Sequence, residues 1–368
     1  SATLLRTNLT NADLSSVTGT SAILTSVAAT GSTLAFANLN GSTVLHGSFA
    51  GANMSMTHFD TATITGTDFT NVTASYTTWT TATLWRPDFT GADLTGANFT
   101  SATLTTATAT GTNLTDANLT LTTLTSLSAV GATLDGASLV NTSATGAILN
   151  GASMVGVTGR YSDLSGADLT GADLTNANLV WSNLNNATAD IATLVGATIT
   201  DSSFNRTKFE GADLTGATLT RSKMGNVSLR AANLTGADVS YTDMTAANVW
   251  GTNFTDADLT GAVLTDASGW NVKMAGADLT GVVMVRSGPY VGGFFHISDI
   301  SGADLTGADL SGVDFSNARM YDAHQRSWTR WPTGVDPTAE GVVDRVLADA
   351  DAVCDLSTFG DCQAADLN

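Results

Sequence analysis

The chain has 368 residues and carries 33 Asp and Glu against 14 Lys and Arg, a formal charge of −19. With only three Lys (Lys208, Lys223 and Lys273), it lacks the clustered cations that neutralise phosphate, which argues against direct nucleic-acid or anionic-membrane binding. No stretch is apolar for the length of a transmembrane helix, and the two-domain expectation from length gives way to an internal repeat.

The repeat is in frame from the start. Every fifth residue from Leu4 to Met284 is apolar or tiny; of these 57 centres, 48 are Leu, Phe, Met, Val, Ile or Trp and nine are Ala or Gly. Neither a helix nor a strand has a period of five, so only a coiled architecture buries one residue in five over such a span. Two residues before each centre the side chain is small, with Pro87 and Leu127 the bulky departures. Asp, Asn, Thr or Ser stands just before the centre, and Thr then Gly often follow it. Gly91-Ala92-Asp93-Leu94-Thr95 shows the unit, which recurs at 166–170, 171–175, 211–215 and 276–280.

A unit with one large and one small inward side chain, turning at its polar residues, resembles the pentapeptide-repeat family, whose motif reads Ala-(Asp/Asn)-Leu-X-X. The resemblance covers residues 1–285 without interruption. It implies an all-β solenoid: a right-handed quadrilateral parallel β-helix with four units per coil, about 14–15 coils in all, and a small C-terminal helical cap. Local physics agrees, because Asp and Asn bond nearby backbone in turns and Gly tolerates the dihedrals of a corner. Columns then form at a spacing of twenty. One is an aliphatic core ladder of Leu94, Leu114, Leu134, Met154, Leu174, Leu194, Leu214 and Leu234; another runs from Phe49, Phe69 and Phe89 into Ala109 and Ala129, where packing becomes uneven. Side chains fill the axis, so there is no lumen for a cofactor or substrate, and the chain reads as a non-enzyme without cofactor or metal.

Residues 286–301 break the frame as a Gly- and aromatic-rich insertion containing Tyr290, Phe294 and Phe295. The repeat resumes one residue out of phase at Leu305, Leu310, Phe315 and Met320, so 302–326 is expected as a final coil and 327–368 as a cap. The run from Thr329 to Pro337 is similar to the exit segment of many bacterial pentapeptide proteins, with Val335 in place of the usual aromatic. Asp336 and Pro337 suit a helix start, and Val342, Val343, Val346, Leu347 and Ala350 share one helical face that can lie over the last coil. Cys354 and Cys362 lie eight apart; a disulfide between them fits an oxidising compartment, and two reduced, buried thiols are the alternative. Ser1 is already in frame without an initiator Met or signal peptide, as in a processed or trimmed chain. No cap precedes Leu4, so the first coil is expected to offer unpaired strand edges that favour end-to-end stacking.

Catalysis finds little support. His46, His58, His296 and His324 are scattered outside metal-ligand spacing, and neither a nucleophile elbow nor a phosphate-cradling loop occurs. The band Arg206, Lys208, Arg221, Lys223 and Arg230 reads as a solvated or Asp-paired face. External aromatics are the outliers: Tyr161, Trp181, Asp201, Arg221 and Tyr241 form one column at intervals of twenty, and Glu210, Arg230, Trp250, Trp270 and Tyr290 form another. Such side chains either shield the backbone or, with Phe294 and Phe295, provide partner contacts of the kind enriched in interface hot spots.

The reading is therefore a secreted, non-enzymatic structural subunit on a bacterial cell surface, whose partner is itself. Rods would stack head to tail into an extracellular filament or sheath with lateral contacts, binding no nucleic acid. The open first coil, the Thr-, Ser- and Asn-rich skin and the tail cysteines support it. Two alternatives remain. Some members of the family mimic DNA and act on DNA gyrase, which would place an acidic rod in the cytoplasm. A surface- or ice-binding Thr array would use stacks such as Thr90, Thr95, Thr100, Thr105, Thr110, Thr115, Thr120 and Thr125, which are expected on all four faces.

Overall fold

A computed structural model describes residues 2–285, 298–311, 313, 318–325, 329–331, 337–338 and 342–344. Each five-residue unit forms one side of a square coil, and residue i pairs in parallel with residue i+20. The wall that starts at Thr3 climbs in fourteen such steps to Val283, then continues to Asp309 and Arg330. In the coil before Thr43 the four walls are centred on Leu24, Ala29, Leu34 and Leu39; they are called the first to fourth walls here. Up to Thr105 the first wall is the one extended enough to make strands: β1 (Thr3–Leu5), β2 (Ile23–Thr25), β3 (Thr43–Leu45), β4 (Thr63–Thr65), β5 (Thr83–Trp85) and β6 (Thr103–Thr105) form one parallel sheet in that order. Thr90, Thr95, Thr100 and Thr105 follow the centres of the second, third, fourth and first walls in turn, so Thr recurs on all four.

The ladder has a direction. In each unit two N–H groups bond forward to the next coil, as from Leu9 to the Ala28 carbonyl (2.6 Å) and from Asn11 to that of Thr30 (3.0 Å). One bonds backward, as from Ala28 to the Thr7 carbonyl (3.0 Å). The residue two after each centre takes a left-handed backbone, for example Asn11 (φ 58°), Gly91 (φ 67°) and Trp181 (φ 57°), which is the third position of a type II turn. The next N–H closes the turn, as from Ala12 to the Leu9 carbonyl at 2.9 Å.

The Asp and Asn before each centre stand on the wall, not at the corner where their turn-forming chemistry had placed them. Asp93 Oδ1 reaches past Leu94 to accept from the Thr95 N–H (3.1 Å) and hydroxyl (2.6 Å), which ties the wall to the start of the corner. The edge between the first and second walls differs: Val27, Gly47, Thr67 and Ala107 make no turn bond there, whereas Leu127 does (to Leu124, 3.0 Å). Pro87, which has no N–H, occupies this one kind of corner where none is needed.

The core is the axis. All eight residues of the Leu94–Leu234 ladder are buried. Phe49, Phe69 and Phe89 stack on the second wall at 5.5 and 5.1 Å, while Phe59, Trp79 and Phe99 stack opposite at 4.4 and 5.7 Å. The two stacks meet edge to face, and the Trp79 indole N–H is satisfied by the Thr77 hydroxyl at 2.8 Å. Ala109 and Ala129 then succeed Phe89, both buried.

Pairing resumes at Asp299, bridged to Lys273, inside the segment expected to be irregular up to 301. Within the expected last coil, His324–Gln325 (β7) pairs in parallel with Val343–Asp344 (β8), which lies beyond it. This corrects the helical cap at that point: Val342 is buried as the small inward residue of another rung, and the ladder's open hydrogen-bonding groups continue to recruit strand rather than helix. Phe315, Val346, Leu347 and Ala350 lie outside the described residues, as do Tyr290, Phe294, Phe295, His296, Cys354 and Cys362.

Candidate functional site

With the axis filled, chemistry is confined to the outer edges. The left-handed corner residue points outward and leans toward the following coil. Asn71 lies over Gly91, Tyr76 over Gly96, Asp116 over Gly136 and Tyr241 over Gly261, each close enough that a Cβ on the glycine would meet it. A large corner side chain therefore needs a small or coplanar successor twenty residues on.

The edge between the fourth and first walls carries Tyr161, Trp181, Asp201, Arg221 and Tyr241 at successive corners. Tyr161 and Trp181 stack at 5.0 Å, and the Arg160 guanidinium sits 4.8 Å from the Trp181 ring. Arg221 grips Asp201 with two bonds of 2.8 Å; that guanidinium holds the Asp201 carboxyl below the usual Asp range, and Arg221 is raised in turn. Glu210, Arg230, Trp250 and Trp270 run along the diagonally opposite edge, between the second and third walls, where the two indoles lie 6.3 Å apart. The two columns expected from the sequence thus exist, but they face away from each other and form no common patch.

Two features were not read from the sequence. Phe36, Met56 and Tyr76 make a third exposed apolar column, on the edge between the third and fourth walls. Their spacing of twenty was the available signal. Beneath the Trp181 edge runs a buried serine ladder, Ser162, Ser182, Ser202 and Ser222. The Ser182 N–H donates to the Ser202 hydroxyl (2.9 Å) and the Ser202 N–H to that of Ser222 (3.1 Å), in place of the turn bonds made at neighbouring corners. Only the coil geometry reveals this use of the small inward position.

Of the basic band, only Arg221 makes an ion pair among the described residues. His46 and His58 share a coil but stand on different sides of it, His324 lies many coils on, and no group of metal-ligating side chains occurs among the described residues. Nor is any described helix long and apolar enough to cross a membrane.

The family model for pentapeptide repeats matches eight times, at 88–125, 129–158, 137–176, 160–188, 177–216, 212–251, 251–286 and 298–324, more than half the chain. The chain belongs to the pentapeptide-repeat family. Solved pentapeptide-repeat proteins similar to it include QnrB1, a plasmid-mediated fluoroquinolone resistance protein, at 18% identity over 50% of this chain and 89% of that one, with a TM-score of 0.35. HetL, involved in heterocyst differentiation regulation in the cyanobacterium Nostoc sp. strain PCC 7120, matches at 28% identity over 68% and 90%, TM-score 0.26. Rfr23 from the cyanobacterium Cyanothece 51142 matches at 21% over 38% and 90%, TM-score 0.15. The likeness is one of fold. No curated protein matches the chain. Pentapeptide-repeat proteins are generally non-enzymatic structural or protein-interaction folds.

Proposed function

We propose that this pentapeptide-repeat protein is a non-enzymatic structural rod that associates with copies of itself into an extracellular filament or sheath. The observation that carries this reading is the placement of exposed Trp and Tyr on two diagonally opposite edges, Tyr161 with Trp181 and Trp250 with Trp270. Aromatic and Arg side chains are the usual anchors of protein interfaces. Two such patches that face away from each other give each rod a neighbour on either side, which generates an open array rather than a closed pair. The Thr-, Ser- and Asn-rich walls suit an exterior location. Because the chain carries −19, screening the mutual repulsion of copies should promote association.

Electron microscopy and sedimentation of the purified protein across concentration and salt test this. Side-by-side rods that grow with both are expected. Trp181→Asp or Trp250→Asp, each disabling one patch, should stop growth at pairs or single rods. Isolated rods under every condition would reject the proposal.

A second reading has one observation in its favour: Asp238, Asp258, Asp278 and Asp304 occupy consecutive rungs of the fourth wall. A gyrase-directed DNA mimic would use such a column. One carboxylate per coil gives a charge about every 4.8 Å, against one phosphate per roughly 1.7 Å of duplex axis, so the wall is a sparse imitation. Unchanged supercoiling by DNA gyrase in its presence would dispose of it.

A further inference from the structure

We propose that the edge between the first and second walls carries a binding site for a neutral saccharide, centred on Trp85. The site lies on a different edge from both aromatic columns and does not depend on self-association.

The departures from the repeat are concentrated at this place. Two adjoining hollows of about 280 and 640 Å³ share Trp85, Arg86 and Asp88 as walls. The smaller lies where the corner column reads His46, Gly66, Arg86: the His46 imidazole leans over Gly66, which has no side chain, and the hollow is walled by that imidazole and by Arg86. Asp68 and Asp88, on successive rungs of the second wall, close one side. Trp85 closes the other. Its rung neighbours are Thr65 and Thr105, so the indole stands above a surface of small side chains and is 48% exposed. Nothing in the coil geometry requires a large residue there. The Arg86 guanidinium lies 5.4 Å from the ring and steadies it, and Pro87 fixes the backbone between the indole and Asp88.

Asp68 is engaged, by the Ser48 hydroxyl at Oδ2 (3.0 Å) and by the Thr70 N–H and hydroxyl at Oδ1 (2.9 and 2.8 Å), but other polar groups around the hollow are unspent. Asp88 uses Oδ1 on the Thr90 N–H and hydroxyl (2.9 and 2.6 Å) and leaves Oδ2 free. The His46 and Arg86 side chains make no hydrogen bond or ion pair to any described residue. A concave surface with one aromatic face and a few convergent polar groups is the usual form of a small-molecule site.

The combination selects the ligand class. A pyranose has an apolar C–H face and a rim of hydroxyls. Its face can lie on the indole while adjacent hydroxyls donate to the free Asp88 Oδ2 and accept from His46 or Arg86. A cationic ligand would meet the guanidinium already placed over the ring. A uronate or phosphate would meet two carboxylates on the approach side, in a chain of charge −19.

Isothermal titration of the full chain with maltohexaose, cellohexaose, xylohexaose and chitohexaose tests the inference, with a hexagalacturonate as the charged probe. Saturable binding of at least one neutral hexasaccharide is expected. Trp85→Thr, which copies the neighbouring rungs, should weaken it at least about tenfold. So should Gly66→Asn, which puts a side chain where the His46 imidazole now leans, at a left-handed position that Asn71 and Asn176 also occupy. Trp181→Thr, on another edge, should bind as wild type does. The inference is overturned if no neutral hexasaccharide binds at about 10 mM, if the galacturonate binds better, or if Trp85→Thr binds as tightly as wild type.

Discussion

Replacing Phe69 by Ala tests how far the effect of a core change spreads along the rod. Phe69 is sandwiched between Phe49 and Phe89 at 5.5 and 5.1 Å and receives the edges of Phe59 and Trp79 at 6.4 and 5.6 Å. Truncating a buried Phe costs about 3–5 kcal/mol, part from lost transfer energy and part from the cavity left behind. The lower end applies, because the same column already accommodates Ala109 and Ala129 two and three rungs on from Phe69. In a solenoid each coil contacts only its neighbours, so the loss should remain local. Amides whose bonds join these coils, such as Phe69 to Asp88 and Asp68 to Gly47, should lose about a hundredfold in hydrogen-exchange protection, at about 1.4 kcal/mol per tenfold. Those near Leu234 should lose none. Phe69→Leu, which restores the commonest centre, should recover most of the protection. Equal loss at both ends of the rod would refute the nearest-neighbour argument.

Ser202→Ala removes the acceptor for the Ser182 N–H and should cost about 1 kcal/mol or more, read as faster exchange of that amide alone. Gly51→Asn meets open space and should leave the melting temperature within a degree or so. Gly96→Asn places a Cβ against the Tyr76 ring and should lower it measurably, although both positions are left-handed. The Asp201 carboxyl is lowered by Arg221, so its contribution is complete above the ordinary Asp value of about 3.9 and is lost as pH falls through the lower native value. Acid melts should therefore fall less steeply for Asp201→Asn than for wild type, and identical slopes would remove the pair from the account.

Most of the fold was legible because the repeat states its own period. A residue such as Leu94, twenty from Leu114, can only stack on it once four units close a coil. What could not be read depended on the third dimension. The choice between Asp93 as corner and Asp93 as wall turns on where its Oδ1 reaches, and either placement satisfies the same sequence. Val342 and Val343 fit a helical face and a rung equally well over so short a run; the unpaired edge of His324–Gln325 decides for strand. The two aromatic columns were visible as spacings of twenty. That they lie on opposite edges follows from ten residues being half a coil, which separates Tyr161 from the column of Trp250 by two corners.

The unequal count of forward and backward N–H groups has an electrical consequence. Each unit leaves one net peptide group aligned with the axis, its N–H toward later coils. At about 3.5 D per peptide, four walls over fourteen steps sum to a moment on the order of 200 D before screening, positive toward the C-terminal coils. Residues 1–160 hold only seven Asp against three Arg, so most of the acid among the described residues is placed toward that positive pole. The molecule is thus a polarised needle whose fixed charges oppose its backbone moment, and in suspension it should orient in an applied field with a defined head and tail.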